Sequence, residues 1–365
     1  MIHVAMPTGD FHGWGVCGTQ LLKHIPGATP IEDFEFPLIV GNPVLQAIQG
    51  VNLLPLRPNI SSSVANIGYA FIEDDELVKR YVPNGERYFD HIVGGSRWCA
   101  QILRNAGLKN VSDIPQGVDY EQFSAFTPAN RTRYRDDFVI YSGGKIEYRK
   151  GTDLVIEAVR VMMQRHDNVR LLPMWYNPWP ETMKTLAQSR LELNLSLCTN
   201  SPYACVNFIH DTLHRNGIPL DRVIPIRQVP NGAAVAEYIH NCDVGLFASR
   251  CEGGTNLGLM ETLACGIPCI ASNNTGHEDV IDEGVLPLYK QTPVLTSGVH
   301  TWYESDVEEM IEALEWCYRH RGDAEYREMG DLARQWMRLN FTWDGAAKQF
   351  MDIARVCART SEEGK

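Results

Sequence analysis

Short apolar runs alternate along the chain with longer stretches in which apolar residues recur at helical spacing. This alternation is typical of βαβ units, in which helices connect the strands of a parallel sheet. The clearest helix of the first third is predicted at residues 96–106, where Ser96 can cap the first turn and Gly107 the last. Strands are predicted in this part at residues 2–6, 38–40, 67–72, 91–94 and 111–114.

A second α/β series begins at residues 138–141, after a polar stretch at residues 119–135 that contains Pro128 and has no sustained period. Such a stretch is typical of a connector between domains. The second series predicts a helix at residues 152–164 and, near the end, an amphipathic helix from about residue 345 to 357. Its strands are predicted at residues 169–174, 223–226, 244–247 and 268–271.

The patterns together predict two similar α/β domains, each built on a parallel sheet, with a central cleft between them. The domains are expected at residues 1–125 and 136–342, followed by a terminal helix at residues 343–358 that packs back towards the N-terminal domain. In open α/β sheets ligands bind at the carboxyl ends of the strands. Motifs that directly follow strands are therefore the candidates for function.

The composition narrows the classes of partner. A chain of 365 residues with 44% hydrophobic and 21% charged residues suits two globular domains. The net charge of −12, with scattered Lys and Arg, argues against nucleic acid and anionic membranes as partners. No run of about 18 apolar residues predicts a membrane span, and the start resembles a buried strand rather than a signal peptide. The ten cysteines lack C-x-x-C spacing, which favours buried thiols in the cytoplasm over disulfides or zinc, and we expect no metal site.

Three glycine-rich segments follow predicted strands, and the first contains Gly13, Gly15 and Gly18. Their spacing satisfies the dinucleotide pattern G-x-G-x-x-G, but the acidic residue expected about 20 positions later does not follow an evident strand. A turn that needs glycine, or a loop at the cleft that touches substrate through Gly13 and Gly15, is favoured over NAD binding. His12 in this turn is a candidate for contacting a substrate, and a structural role is the alternative.

The second segment, residues 142–151, places Gly143 and Gly144 beside Lys145, Arg149 and Lys150. Three cations at the turn between a strand and a helix suit a diphosphate, since they offset negative charge on a leaving group. An exposed basic loop is the alternative.

The third segment, residues 249–261, leads from a predicted strand into a glycine-rich loop and then a helix. Free N–H groups at a helix start bind phosphate or sugar oxygens, and a carboxylate such as Glu252 or Glu261 can accept hydrogen bonds from vicinal hydroxyls. Apolar neighbours of Glu261 predict that its carboxyl group is buried and needs a partner. The loop residues expected to contact a ligand are Gly253, Gly254, Thr255, Asn256 and Leu257.

Several stretches in order resemble retaining glycosyltransferase family 4, which has the GT-B fold of two Rossmann-like domains. The resemblance covers roughly residues 66–356. It rests on residues 114–119 with Phe123, residues 142–151, residues 241–244, residues 252–268 and residues 341–343.

The resemblance implies that Lys145 and Lys150 hold the diphosphate of a nucleotide sugar. It also implies that Glu261 binds the ribose and that Glu252, with the loop Gly253–Asn256, reaches the transferred sugar. The N-terminal domain would then take the acceptor and the C-terminal domain the donor. The two glutamates are nine positions apart where the family has eight, so either the loop bulges or the partner of Glu261 is placed differently.

The resulting prediction is a glycosyltransferase that moves a sugar from a UDP-, GDP- or ADP-sugar to a hydroxyl acceptor with retention of configuration. It requires no cofactor, and the acceptor is a glycan, a lipid or a small molecule. A nucleotide-sugar epimerase, a phosphorylase-like enzyme and a catalytically degenerate interaction subunit remain as alternatives.

The sequence leaves open the roles of one further residue and two further segments. Backbone near residues 228–230, including Val229, is expected to recognise the base. Glu73 either faces the cleft or belongs to an acidic helix entry. The aromatic run at residues 175–180 either stacks on a ring or covers the core or an interface.

Overall fold

The computed structural model describes residues 1–123, 131, 133–225, 229–294 and 302–363, and the side chains among these up to residue 359. Two parallel sheets, one in each half of the chain, form its framework. The first half contains β1 (His3–Ala5), α1 (Gly13–His24), β2 (Thr29–Pro30), β3 (Leu38–Val40), β4 (Val44–Ala47), β5 (Ile60–Ser62), β6 (Asn66–Ala70), α2 (Val82–Tyr88), β7 (His91–Gly94), α3 (Arg97–Ala106) and β8 (Val111–Asp113). We call this half, with the terminal helix that packs on it, the N-lobe.

The six-stranded sheet of the N-lobe has the order β2-β1-β4-β6-β7-β8, and all its strands are parallel. The predicted strand at residues 38–40 exists but pairs with β5 outside this sheet. The central strand β4 was not predicted, because the polar Gln46 interrupts its apolar pattern. Gln46 is buried, and its amide nitrogen donates to the carbonyl oxygen of Ile60 at 2.9 Å.

The second half, the C-lobe, contains a five-stranded parallel sheet with the order β10-β9-β11-β12-β13. The predicted strand at residues 223–226 is wrong for Val223–Pro225, where a single bridge joins Val223 to Leu171, and residue 226 lies outside the described residues. The elements are β9 (Phe138–Gly144), α4 (Thr152–Arg165), β10 (Val169–Trp175), α5 (Pro180–Met183), α6 (Ala204–Arg215), α7 (Ala233–Ile239), β11 (Val244–Phe247), α8 (Leu257–Ala264), β12 (Cys269–Ser272), β13 (Val285–Leu288), β14 (Gln291–Pro293), β15 (Tyr303–Ser305), α9 (Val307–His320), α10 (Ala324–Asn340) and α11 (Trp343–Glu363).

Strand β9 shows how the C-lobe core is assembled. Its side chains alternate between the two faces of the sheet. Phe138 and Ile140 join the cluster under α4 and α9, whereas Val139 and Tyr141 join the cluster under α8 and α10. Because helices cover both faces, residues 138–141 of the strand form an unbroken apolar run. Burying each such side chain contributes roughly 1.5–3 kcal/mol.

The last helix, α11, packs on the N-lobe although it follows the C-lobe in sequence. Trp343, Ala347 and Phe350 lie in one cluster with Val4 and Leu21. The helix extends to Glu363, beyond the predicted end at residue 357 or 358.

The two passages of the chain between the lobes lie side by side. The backbone N–H of Val118 donates to the carbonyl oxygen of Phe341 at 3.1 Å. Gly117 lies so close to the backbone of Thr342 and Trp343 that no side chain fits there. The domain limits expected at residues 125 and 136 stay predictions, since residues 124–130 and 132 are outside the described part.

All ten cysteines are free, and nine of them are buried. Among the described helices, none combines the length and apolarity that a membrane crossing requires.

Candidate functional site

The candidate site lies where the carboxyl ends of β9 and β11 in the C-lobe meet residues that follow β6 and β7 in the N-lobe. Ser96, just after β7, donates its hydroxyl to the carbonyl oxygen of Gly253 at 2.9 Å. Arg97 donates its backbone N–H and its Nε to the carboxylate of Asp279 at 2.8 and 2.7 Å. The site is therefore built from both lobes.

The glycines after β11 permit this close approach. A Cβ on Gly253 would lie 2.7 Å from the carbonyl oxygen of Ile72, and one on Gly254 would lie 2.8 Å from the ring of Phe71. Any side chain at either position would push the lobes apart. The structure shows a packing role for these two glycines, and the ligand-binding role expected from the sequence stays a prediction.

The segment after β9 brings the three predicted cations into the site. Residues 148–150 form a 3₁₀ turn, and Gly151 then takes a left-handed φ of 62° against the backbone of Ala248. The side chains of Lys145, Lys150 and Arg149 are 37%, 14% and 8% exposed, in that order. Lys145 is thus the cation most open to solvent.

Glu252 is the carboxylate around which this part of the site is organised. It accepts hydrogen bonds from Lys150 Nζ and Ser249 Oγ, both at 2.6 Å, from Arg149 at 3.1 Å and from Asn256 Nδ2 at 3.2 Å. Burial by itself would raise the pKa of Glu252, but Lys150 and Arg149 outweigh burial and hold that pKa well below its usual range. The carboxylate is ionised at neutral pH.

Arg149 is the centre of the cluster. Its guanidinium lies 2.7 Å from Glu147, 3.1 Å from Glu252 and 3.1 Å from Glu73 of the N-lobe, and it also donates to the carbonyl oxygen of Cys251. From the sequence, Arg149 was expected only as one of three cations that suit a diphosphate, with no separate role. No spacing along the chain indicates that carboxylates from three segments converge on it.

The open question about Glu73 is answered in favour of the cleft. Burial raises the pKa of its carboxyl group, while Arg149 and Lys145 oppose that rise. Lys145 in turn lies 3.5 Å from Glu147. We call Glu73, Lys145, Glu147, Arg149, Lys150 and Glu252 the charge cluster, and its three cations and three carboxylates balance formally.

A buried histidine that the sequence did not suggest supports Glu252. His277 accepts a hydrogen bond at Nε2 from Asn256 Nδ2 at 3.0 Å and donates from Nδ1 to the carbonyl oxygen of Ser272 at 3.2 Å. Burial lowers the pKa of His277 to about 4, so the ring is neutral. These bonds hold Asn256 in a left-handed conformation with φ 63°, directly before α8 begins.

Glu261 occupies a different environment on α8. Burial raises the pKa of its carboxyl group to about 8, and the hydrogen bond that Asn231 Nδ2 donates at 2.8 Å only partly offsets this. The predicted partner thus exists, and it is Asn231, 30 residues away in sequence. The backbone N–H of Asn231 also donates to the carbonyl oxygen of Asp10 in the N-lobe at 2.8 Å. A small cavity beside Glu261 is lined by both lobes and includes Asp10, Asn231 and Leu257.

The first glycine segment has a structural explanation in large part. His12 caps α1, since its Nδ1 accepts the backbone N–H of Gly15 at 2.9 Å. A Cβ on Gly15 would lie 2.6 Å from the carbonyl oxygen of Gly9, and Gly18 packs even closer to that of Pro7. Gly13 is exposed, and a Cβ there would lie 4.0 Å from Leu257 across the cleft.

The remaining predicted residues are distributed as follows. Gly144 has φ 124° and lies beside Lys150, and Gly143 lies above the Tyr141 hydroxyl. Thr255 donates its hydroxyl to Met260 Sδ at 2.9 Å. Val229 packs against the C-lobe core, whereas Gln228 lies outside the described residues. The structure thus brings Lys145, Lys150 and Glu252 together, and it places Glu261 at a second position.

A larger open groove, of about 730 Å³, lies elsewhere, at the start of β6 and β7 and next to Val356 of α11. It contains none of the predicted site residues. Within the described part of the chain, no group of three or more His, Cys, Asp or Glu side chains is arranged to hold a metal ion.

Comparisons with known proteins agree with the two-lobed fold. Residues 181–320, less than half of the chain, match the family model described as "Glycosyl transferases group 1". Among solved structures, Anabaena HepE in complex with UDP and glucose covers 96% of this chain and 98% of its own, with a TM-score of 0.64 and 12% identity. Sucrose-phosphate synthase from Thermosynechococcus elongatus covers 97% and 98%, with a TM-score of 0.68 and 15% identity. The predicted GT-B fold is confirmed.

Two curated relatives match this chain over a smaller part of its length. A GDP-mannose-dependent alpha-(1-6)-phosphatidylinositol monomannoside mannosyltransferase of Mycobacterium tuberculosis is 22% identical over 253 residues, which are 66% of this chain and 55% of that protein. A D-inositol 3-phosphate glycosyltransferase of Paenarthrobacter aurescens is 25% identical over 236 residues, 62% of this chain and 47% of that protein. The chain spans about half the length of these relatives. By their names, both relatives are glycosyltransferases.

Proposed function

We propose that the chain is a retaining glycosyltransferase of family 4 that moves a sugar from a nucleoside diphosphate to a hydroxyl acceptor. The observation that carries the proposal is the charge cluster at the carboxyl ends of β9 and β11, which Glu73 of the N-lobe completes. Two cations that hold an ionised carboxylate can shift part of their hydrogen bonding to a diphosphate, and the carboxylate oxygens that they free can bind sugar hydroxyls.

The nucleoside end of the donor is assigned to Glu261. As a carboxylate it accepts hydrogen bonds from the two ribose hydroxyls, which replace the bond from Asn231. Because the pKa of Glu261 is about 8 without ligand, its carboxyl group carries a proton at neutral pH. Donor binding is therefore expected to release that proton.

The diphosphate end is assigned to Lys145, Lys150 and Arg149. Lys150 and Arg149 shift part of their hydrogen bonding from Glu252 to phosphate oxygens, and Glu252 then orients hydroxyls of the sugar. The N–H groups at the start of α8 add to the stabilisation of the anion. No metal ion or other cofactor is required in this scheme, which stays a prediction.

In the reaction the bond between the anomeric carbon and the diphosphate oxygen breaks, and its electron pair leaves with the diphosphate. The acceptor oxygen bonds to the anomeric carbon on the same face, and its proton passes to the departing phosphate oxygen. Lys145, Lys150 and Arg149 stabilise the charge that develops on the leaving group. Attack on the face of departure retains the configuration.

The acceptor is assigned to the N-lobe side, where Glu73 and the turn at Gly13 border the site. The two curated relatives act, by their names, on a phosphatidylinositol mannoside and an inositol phosphate. A polyol or glycan hydroxyl is the corresponding acceptor class for this chain. A cytoplasmic location stays a prediction.

The test measures thermal stabilisation and donor hydrolysis with UDP-glucose, GDP-mannose and ADP-glucose. One donor should raise the melting temperature of the wild type by several degrees at 100 times its Kd, where binding adds about 2.7 kcal/mol. Glu261→Ala and Lys150→Ala should reduce the rise, and Lys184→Ala, on the surface of the same lobe, should not.

If no nucleotide sugar raises the melting temperature, the proposed function is wrong. Binding without hydrolysis or transfer would favour the degenerate subunit, and conversion of the donor to its epimer would favour the epimerase. The anomeric configuration of a transferred product, read by NMR, tests retention.

A further inference from the structure

Trp179 is a half-exposed indole next to the charge cluster. The structure divides the aromatic run of residues 175–180 into unlike parts. Trp175 is buried in the C-lobe core, with Nε1 donating to Ser142 Oγ at 3.2 Å, and Tyr176 packs against that core. Trp179 is 49% exposed and belongs to none of the hydrophobic clusters of the described residues. Its ring is thus not explained by core packing.

The loop that carries Trp179 is fixed to the loop that carries Lys145. Buried Asn177 donates from Nδ2 to the carbonyl oxygen of Ile146 at 3.1 Å and accepts the backbone N–H of Trp179 at 3.1 Å. The backbone N–H of Tyr176 donates to the carbonyl oxygen of Gly144 at 3.0 Å. The two loops therefore form one unit, held by the Asn177 side chain and a backbone hydrogen bond, and this unit brings the chain at Trp179 close to the chain at Lys145.

Within this unit the Nζ of Lys145 lies 5.3 Å from the centre of the Trp179 ring, a cation–π distance. The same Nζ lies 3.5 Å from Glu147, which joins it to Arg149 and through Arg149 to Glu252. Lys145 is the most exposed of the three cations. An anion entering the site can draw it away from the ring at little cost.

The surroundings of Glu261 and Glu252 indicate which part of a donor lies near the Trp179 indole. Among the described residues Glu261 accepts a hydrogen bond from Asn231 and has no ion pair with a cation, so this position suits the uncharged ribose. The cations and Glu252 lie at the other position, which suits the diphosphate and the sugar beyond it. Trp179 lies beside Lys145, one of these cations, and therefore next to the diphosphate and the sugar attached to it in this arrangement.

A pyranose ring has an apolar C–H face that packs well on an indole, and the phosphate attached to it attracts a neighbouring ammonium group. We propose that Trp179 forms the stacking face of a subsite for the pyranose ring of the donor, next to the diphosphate held by Lys145. This inference rests on the proposed function and adds to it a residue that positions the transferred sugar.

The test compares each nucleoside diphosphate with its sugar conjugate, using UDP and UDP-glucose, GDP and GDP-mannose, and ADP and ADP-glucose. Calorimetric Kd values are measured for the wild type, Trp179→Ala and Trp179→Phe. Phe36→Ala, which removes an exposed aromatic ring from the N-lobe, is the matched control. Trp179→Ala should weaken binding of the sugar conjugate about 10-fold and that of the free diphosphate less than about twofold. Trp179→Phe should restore most of the loss, and Phe36→Ala should change neither Kd.

Equal weakening of the diphosphate and its conjugate by Trp179→Ala would overturn the inference, since the ring would then contact the base or the diphosphate. Unchanged affinity for both would overturn it as well, and so would an effect confined to the KM of the acceptor. In these cases wild-type binding leaves the proposed function intact. If the wild type binds none of the six probes, both proposals are wrong. A melting temperature of Trp179→Ala close to that of the wild type excludes a folding defect as the cause.

Discussion

Glu252 and Glu261 stand nine positions apart on one segment, and both are almost completely buried, yet their protonation is opposite. The pKa of Glu252 is held well below its usual range by Lys150 and Arg149, whereas burial raises that of Glu261 to about 8. Burial alone therefore does not determine the charge of a carboxyl group. The partners that the fold supplies decide it.

The largest effect is expected when the cation at the centre of the charge cluster is removed. Arg149→Met leaves Glu73, Glu147 and Glu252 without their shared partner, so we expect a loss of about 3–5 kcal/mol in the free energy of unfolding. Urea unfolding measures this loss. Arg355→Met, which removes an exposed arginine of α11, is the control and should cost less than about 1 kcal/mol. Similar values for the two variants would show that Arg149 is not the centre of the cluster.

The next largest effect is expected on the kcat of a Lys150 variant. Lys150→Met keeps much of the side-chain volume and removes one of the charges assigned to the leaving group, so kcat should fall about 100-fold. Lys184→Met is the control in the same lobe. Steady-state transfer or donor hydrolysis provides the rates, and a fall in kcat of less than threefold would contradict the assigned role.

The pH dependence of donor binding tests the raised pKa of Glu261. Below pH 8 the ligand-free protein carries a proton on Glu261 that ribose binding displaces, so the affinity for a nucleotide sugar should rise about 10-fold from pH 6.5 to 7.5 and level off above pH 8. Glu261→Gln should bind more weakly, with no such slope. Nucleotide sugars are the suitable probe because they lack a terminal phosphate that titrates in this range. Parallel pH profiles in calorimetry would contradict the prediction.

The same pKa predicts the stability of the ligand-free protein. Since the folded-state pKa of Glu261 is raised, the folded state retains a proton that the unfolded chain loses above about pH 4.3. The contribution of Glu261 to stability therefore falls by up to about 1.4 kcal/mol per pH unit between that pH and about 8. Glu261→Gln should consequently gain stability over the wild type as the pH rises through this range. The contribution of Glu252 has the opposite sign, since its pKa is lowered: it is present above about pH 4.3 and is lost progressively as the pH falls below that value.

The smallest expected effect concerns His12, which belongs to neither environment. His12→Ala removes the cap of α1 and should cost about 1 kcal/mol in stability, whereas His12→Asn should retain the cap. If the role of His12 is the cap alone, donor affinity stays within about twofold in both variants. A larger loss of affinity in His12→Asn would assign the ring to substrate contact.

The fold was largely predictable because the patterns that indicate its strands and helices lie within short stretches of the sequence. Runs such as Phe138–Tyr141 are apolar at consecutive positions, and Ser96 and Gly107 mark the ends of α3 as expected. One strand that the sequence did not predict, β4, shows the limit of a pattern argument. Its buried Gln46 satisfies its amide nitrogen with a backbone oxygen from another strand, which no local pattern indicates.

The site was predictable only in part, because its electrostatics depend on distant residues. Lys145, Lys150, Glu252 and Glu261 follow strands or lie on the helix after a glycine loop, and the sequence shows that much. Asn231 and His277 act on these glutamates from 30 and 25 positions away, and Glu73 reaches Arg149 from the other lobe. Only the folded chain brings such groups together.

The return of α11 to the N-lobe has a practical consequence for dividing the molecule. A fragment that ends near residue 118 would expose the apolar surface that Trp343, Ala347 and Phe350 cover in the intact chain. The N-lobe is thus discontinuous in sequence and needs both ends of the polypeptide. Because Val118 and Phe341 are hydrogen-bonded neighbours, a short linker that joins residue 117 directly to residue 342 would yield an isolated N-lobe with its own helix in place.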